Sequence, residues 1–310
     1  MALTFVKKIA QEMTPSLKFD IHRALAGWED ARCHKTLHAS DMTRDEGFCP
    51  REFALHDVLK TKRKGQYIGT SMRTTFDMGD MLSDLVREKW AVHKAVGTWR
   101  CLKCGALHQF CKYPKVCNKE HLDHLGKVAF KCNSRIFRYK EEQFIVPSID
   151  ASGSLDMLYD AGLPKLLPVE LKSIDKDQFK SLVAPHAEHS WRSNLYQRLI
   201  ANSVHPHRDH IDQSRMIVLY ICKGYGIKDE TLKPAGIKDS EFSPFKEYWV
   251  QRDDKLTNDI WKQAESLKKF RSKEGGMPKG ICPNSYCKRA MSCSALKACW
   301  SGSHPEGKKL

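Results

Sequence analysis

The 310-residue chain has no apolar run of membrane length, and its opening, Met1-Ala-Leu-Thr-Phe-Val-Lys-Lys, turns polar too soon for a signal-peptide core. A cytoplasmic protein is expected. There is no internal repeat, and the length allows one or two domains of roughly 100–200 residues each. Acidic residues are in short supply: 37 Asp and Glu face 52 Lys and Arg, an excess of 15 positive charges. That imbalance makes an anionic polymer the expected partner, through counterion release at phosphates. A membrane surface is the competing partner, but no strongly amphipathic basic helix with aromatic anchors is present. Nucleic acid is the better-supported ligand, and no membrane association is expected.

Cysteine is not scarce. There are twelve, and in a reducing compartment they argue for metal sites rather than a disulfide scaffold. Cys33 and Cys222 stand apart. Cys222 ends the apolar run from Met216 and reads as a small core residue. The others cluster. Trp99-Arg-Cys101-Leu-Lys-Cys104-Gly105 has the C-x-x-C spacing that chelates one tetrahedral zinc, with the glycine freeing the turn. Cys117 and His121 supply a second half at workable spacing, and Cys111 and Cys132 are alternatives to His121. The C-terminal set is Cys282, Cys287, Cys293 and Cys299, which taken alone could make a second zinc site.

Periodicity gives a coarse layout. Residues 1–36 read as helical and charged. Helices are expected over 49–62, packing through Phe53, Leu55, Val58 and Leu59, and over 76–93, with Met78, Met81, Leu82, Leu85, Val86 and Trp90 on one face. Residues 97–135 break the pattern and look like an inserted module. Strands follow at 153–160 and 166–173, a helix at 186–202, strands at 216–222 and 247–252, and a helix at 255–270. Residues 275–280 form a loop. Helix, strands, helix, strands, helix makes an α/β fold with a mixed central sheet flanked by helices.

The strands at 153–160 and 166–173 carry the chemistry. Alternation puts Leu155, Met157 and Tyr159 on one face and Asp156, Leu158 and Asp160 on the other; Leu167, Val169 and Leu171 oppose Glu170 and Lys172. A hairpin then gathers Asp156, Glu170 and Lys172. Paired carboxylates bind a hard divalent cation, and a lysine beside them can steady an attacking hydroxide, which suits phosphodiester hydrolysis. A surface hairpin with a wet charged face is the plain alternative.

The order Asp156, Glu170-x-Lys172, with Gly153 three residues before the aspartate, resembles the core of PD-(D/E)XK nucleases, and more closely their RecB-like branch. Ser40-Asp41 followed by Cys49-Pro50-Arg51 is similar to the opening signature of that branch. One cysteine far upstream with three near the end is the layout of its iron–sulfur members, such as the CRISPR-associated and phage-borne exonucleases. The resemblance runs from about Leu37 to Trp300. It implies a nuclease domain over 37–310, with a zinc-knuckle insertion at 97–135 and an iron–sulfur clasp at 275–300. It also implies Mg or Mn at Asp156, Glu170 and the Leu171 carbonyl, with Lys172 acting on water and Asp160 as a supporting acid. A 4Fe–4S cluster would use Cys49, Cys282, Cys293 and Cys299, with Cys287 spare; zinc would use Cys101, Cys104, Cys117 and His121. The substrate implied is DNA, single-stranded ends above all, and recombination or CRISPR-type proteins are the implied partners.

Two departures stand out. The family histidine four residues after a helix glycine, here Gly79, is replaced by Ser83; the flanking Asp80 or Asp84 could substitute for it, or the coordination is lost. The family's substrate-touching glutamine and tyrosine correspond to Arg192 and Tyr196, which share a helix face. Lys223, ending the strand from Met216, is a further cation that could face the site. The rivals are a catalytically weakened DNA-binding protein of the same fold, acting in recombination or phage defence, and a zinc-only adaptor.

Overall fold

The computed structural model describes residues 17–28, 36–44, 47–61, 67–122, 124, 126–224 and 243–300. Cys33, much of the expected N-terminal segment and residues 301–310 lie outside them. Helix α1 (Leu17–Leu25), strands β1 (Gly27–Trp28) and β2 (Leu37–His38), and helices α2 (Ala39–Met42) and α3 (Pro50–Leu59) lead to β3 (Tyr67–Ile68) and the long α4 (Thr70–Leu85). α4 runs on as a π-helical turn, Val86–Trp90. α3 starts where Pro50 takes the first helical position, after Cys49 in extended conformation, so the missing proline N–H has no bond to lose.

Next come β4 (Ala95–Cys101), β5 (Leu107–Lys112), the small hairpin β6 (Glu120–Leu122) and β7 (Val128–Lys131), then β8 (Phe137–Lys140), β9 (Glu142–Val146), β10 (Ala151–Leu155), β11 (Met157–Tyr159) and β12 (Leu167–Asp175). Two helices, α5 (Lys176–Ser181) and α6 (Ala187–Asn202), connect β12 to β13 (Arg215–Lys223); β14 (Phe245–Gln251), α7 (Asn258–Arg271), α8 (Lys288–Met291) and α9 (Leu296–Trp300) complete the fold. The Asp175 side chain accepts from the Asp177 and Gln178 amides and so starts α5 directly off the strand.

The central sheet has seven strands in the order β14-β13-β12-β11-β4-β5, with β8 also on β4. It is mixed: β12 and β13 are parallel and the other pairs antiparallel. β13 reads Met-Ile-Val-Leu-Tyr-Ile-Cys because it is buried on both faces. A second sheet, β2-β10-β9, lies beside it. One core cluster fills the space between this smaller sheet and the helices, through Phe53, Val146, Ala151, Leu195, Leu199, Trp261 and Leu267. Another lies on the other face of the central sheet, through Trp99, Phe137, Met157, Val169, Leu171 and Ile217. Cys222 is buried beside Ile174, Tyr220 and Val250.

Three expectations need correction. The single strand over 153–160 is two strands in different sheets, broken at Asp156, so Leu155 packs with Leu158 and not with Met157. The module at 97–135 is not a separate insertion, because β4 and β5 belong to the central sheet and only the turns and the β6–β7 hairpin stand off it. In the long helix Met78, Met81 (65% exposed) and Trp90 face outward; Val86 is buried and Gly79 meets the sheet, a Cβ there falling 3.3 Å from Ser173 Oγ.

Candidate functional site: a carboxylate–lysine cluster and two cysteine cages

The break at Asp156 builds the centre of the site. Where β10 leaves one sheet and β11 enters the other, the next backbone partner on β12 is missing. The Asp156 carboxylate takes its place: Oδ2 accepts from the Leu171 amide at 2.7 Å. Glu170, one residue before that amide and 3% exposed, lies with Lys172 on the face opposite Val169 and Leu171; Lys172 Nζ stands 2.5 Å from Glu170 Oε1. Burial pushes the Glu170 carboxyl up to about 7, against the pull of the Lys172 ammonium, and the nearby Asp156 charge adds to the rise. Burial also opposes the charge on Lys172, but Glu170 and Asp156 outweigh it and hold the ammonium above its ordinary range. A carboxylate that is costly to ionise and a second one beside it form a donor set that fits a hard divalent cation.

α6 covers this cluster. Arg192 donates from Nε to Thr43 Oγ1 at 3.2 Å and its charge is felt at Glu170 and Lys172. Burial, with the Glu170 and Asp156 charges, raises the Tyr196 phenol well above its ordinary range. Gly153 allows the helix this close: a Cβ there would sit 2.9 Å from Tyr196 Cε1. His189, one turn before Arg192, accepts at Nδ1 from the Tyr220 hydroxyl (2.7 Å) and donates from Nε2 to Glu188 (3.0 Å). Burial and the charges of Lys172, Arg192 and His186 pull its pKa down to about 3, so it is neutral.

Two side chains that sequence reasoning missed border Asp156. Arg87, in the π-helical turn, donates to Asp84 Oδ1 (2.6 Å), Glu141 Oε1 (2.9 Å) and the Asp156 carbonyl (3.3 Å). The Glu141 carboxyl is raised by burial and by the Asp156 charge. The only sequence signal was the three-residue spacing of Asp84 and Arg87 on a helix. Ser83 donates back to Gly79 O within its own helix (3.0 Å), so its hydroxyl does not stand in for an imidazole. Asp160 does not join the site: its carboxylate holds Lys112 at 2.6 Å and the Gly162 amide at 2.9 Å in the turn after β11. Lys223 ends β13 in register with Asp175.

The first cysteine cage is Cys101, Cys104, Cys117 and Cys132, whose sulfurs all lie within 4.8 Å of one another. Cys132, at the end of the hairpin, is therefore the fourth corner, and His121 is not. The His121 ring stacks on Phe130 at 4.4 Å and 9°, with Nε2 buried and unbonded. Gly105, at φ +74°, makes the first turn. Burial opposes a thiolate at Cys101, yet the backbone around Cys104 and Lys103 holds its pKa down to about 6, while burial pushes Cys117 up to about 12. Four such thiols cannot all ionise without a cation among them, and the set fits tetrahedral zinc.

The second cage lies between α3 and the end of the chain. Cys49, Cys282, Cys293 and Cys299 line one cavity of about 190 Å³ with Arg51, Glu52 and Leu55. Cys287 does not line it; its sulfur caps α8 by accepting from the Ala290 amide at 3.4 Å. The four thiols share one open volume, a donor set that fits an iron–sulfur cluster, and the Cys282 sulfur also meets that of Cys287 beside it. Arg289 and Ser294 from the tail close on Glu52, at 2.5 and 3.3 Å.

No helix among the described residues is long and apolar enough to cross a membrane. No family model matches the sequence, and no curated protein matches it. Solved structures do. The crystal structure of SSO0001 is similar over 90% of this chain and 94% of its own, at 15% identity and a TM-score of 0.35. An alkaline exonuclease from Laribacter hongkongensis, LHK-Exo, is similar over 82% of this chain and 93% of its own, at 12% identity and a TM-score of 0.35. Its complex with dAMP covers 77% of this chain and 89% of its own, at 11% identity and a TM-score of 0.38.

Proposed function

We propose that the chain is a divalent-metal-dependent deoxyribonuclease with a RecB-like PD-(D/E)XK site, acting on single-stranded DNA ends. One observation carries the reading: the carboxylates of Asp156 and Glu170 and the ammonium of Lys172 meet at the break between β10 and β11. Asp156 and Glu170 would hold Mg or Mn, with the Leu171 carbonyl as a further ligand. A bound ion would supply Lewis acidity to a phosphodiester and acidify a water molecule.

The chain's own groups do the rest. The Leu171 amide fixes the Asp156 rotamer. Burial disfavours charge on the Glu170 carboxylate, so a cation held between it and Asp156 would be favoured. Lys172 keeps a point charge against Glu170, placed to orient the attacking water and to offset charge growing on the phosphate. Arg192 can grip a backbone phosphate, and Tyr196 closes the site from above. The excess of 15 positive charges supplies affinity along the strand. Zinc in the Cys101 cage would tie down the β6–β7 hairpin, and a 4Fe–4S cluster at Cys49, Cys282, Cys293 and Cys299 would bind α3 to the tail.

The test is cleavage of labelled single-stranded DNA with Mg or Mn. Asp156→Ala and Glu170→Ala are each expected to lose at least about 100-fold in rate, while DNA binding in EDTA survives and weakens as salt rises. Cleavage that persists in Asp156→Ala would place the chemistry elsewhere. Metal-loaded protein that binds DNA but cuts nothing would favour the second reading, a DNA-binding protein of weakened catalysis. Ser83, which offers the site no imidazole, is the observation on that side.

A further inference from the structure

Beside the proposed metal ligands stands a second group of acids with a guanidinium already in it. Arg87 is 7% exposed and sits in a π-helical turn, a backbone irregularity that recurs at functional sites. Its fork reaches three oxygens at once: Asp84 Oδ1 at 2.6 Å, Glu141 Oε1 at 2.9 Å and the carbonyl of Asp156 at 3.3 Å. The carbon of the fork lies 5.6 Å from the centre of the Tyr139 ring, and Nε is buried with no partner. Asp80, on the helix that ends in this turn, is close enough for its charge and that of Asp156 to act on each other. Five carboxylates, Asp80, Asp84, Glu141, Asp156 and Glu170, thus gather around the strand break at Asp156, against the cations Arg87 and Lys172.

Crowded carboxylates of this kind take up a hard cation when none is present. In two-metal nucleases a second ion, about 3.5–4 Å from the first, helps to stabilise the attacking and leaving oxygens. We propose that Arg87 is a resident cation standing where a second divalent ion would otherwise be held, so that the site takes one metal ion. The guanidinium is always charged and is fixed by four neighbours, so its contribution does not depend on metal concentration. It also joins Asp84 and Glu141 to the strand break that carries Asp156.

The inference rests on Asp156 and Glu170 being metal ligands, and the experiment separates the two ideas. Manganese bound per chain is counted in protein retaining its zinc and iron. Wild type is expected to bind one ion that Asp156→Asn removes. Arg87→Gln is expected to gain a second, weaker ion, lost again when Glu141→Gln is added, and Arg87→Lys is expected to stay at one. Two Asp156-dependent ions in wild type would overturn the inference without recourse to any variant. An Arg87→Gln protein that loses the first ion and gains none would overturn it as well, leaving Arg87 as a brace for the Asp156 backbone. No Asp156-dependent ion in wild type would sink the metal-site reading and this inference with it, whereas two would sink the inference alone.

Discussion

Among single residues, Lys172 and His189 make the sharpest demands. Lys172 presents a compact charge to Glu170 at 2.5 Å, and a planar guanidinium cannot put the same charge at the same point. Lys172→Ala is therefore expected to keep manganese binding and lose rate, and Lys172→Arg to recover only part of it, as read from single-turnover cleavage. Equal rates in Lys172→Arg and wild type would mean that charge alone matters. His189 bears on stability. Its pKa falls from 6.5 to about 3 on folding, because of burial and the neighbouring Lys172, Arg192 and His186. Below pH 6.5 the unfolded chain binds a proton that the folded chain refuses, so stability drops as pH falls from 6.5 toward 3. His189→Gln, which can still accept from Tyr220, should flatten the decline of Tm between pH 7 and pH 5. Parallel declines in the two proteins would remove His189 from the acid response.

At the scale of elements, the β6–β7 hairpin decides which fourth ligand the first cage receives. Cys132→Ser is expected to lose zinc as fully as Cys101→Ser, while His121→Ala keeps zinc and loses only its stack on Phe130, worth about 0.5–1.5 kcal/mol. Zinc retained in Cys132→Ser would reverse the assignment. Spacing could not choose between Cys132 and His121, because both follow Cys117 within reach of a chelate; only the fold of the hairpin does. The same limit explains the split at Asp156. Alternation from Leu155 to Tyr159 continues through the break, so periodicity reads one strand where the chain changes sheets. The opposed faces of Leu167–Lys172 were legible because one face is aliphatic throughout and the other is charged or proline, although Glu170 is buried as well. Arg87 and Glu141 are 54 residues apart, and nothing in either neighbourhood announces that they meet.

For the whole molecule, the second cage brings α3 to the tail, more than 230 residues later in the chain. Cys49→Ala, Cys282→Ala and Cys299→Ala are expected to lose iron alike, and Cys287→Ala to keep more of it, as read by iron content and by visible absorbance after anaerobic purification. Iron unchanged in Cys49→Ala would leave only the tail cysteines as ligands. The absorbance also excludes or admits a zinc-only protein, since zinc is colourless. The net charge acts at this scale too: it does not depend on any one side chain, and it sets how steeply DNA binding falls with salt.

Glu52 is buried in α3, and two of the groups that meet it, Arg289 and Ser294, come 237 and 242 residues later. A ribosome adding about 5–20 residues per second needs roughly 10–50 s to cover that span. For that time the nascent chain has Arg44 to offer Glu52 but not the two tail groups that close over it. α3 is thus closed over late, and the wait is a window in which a chaperone or an assembly factor would find it exposed.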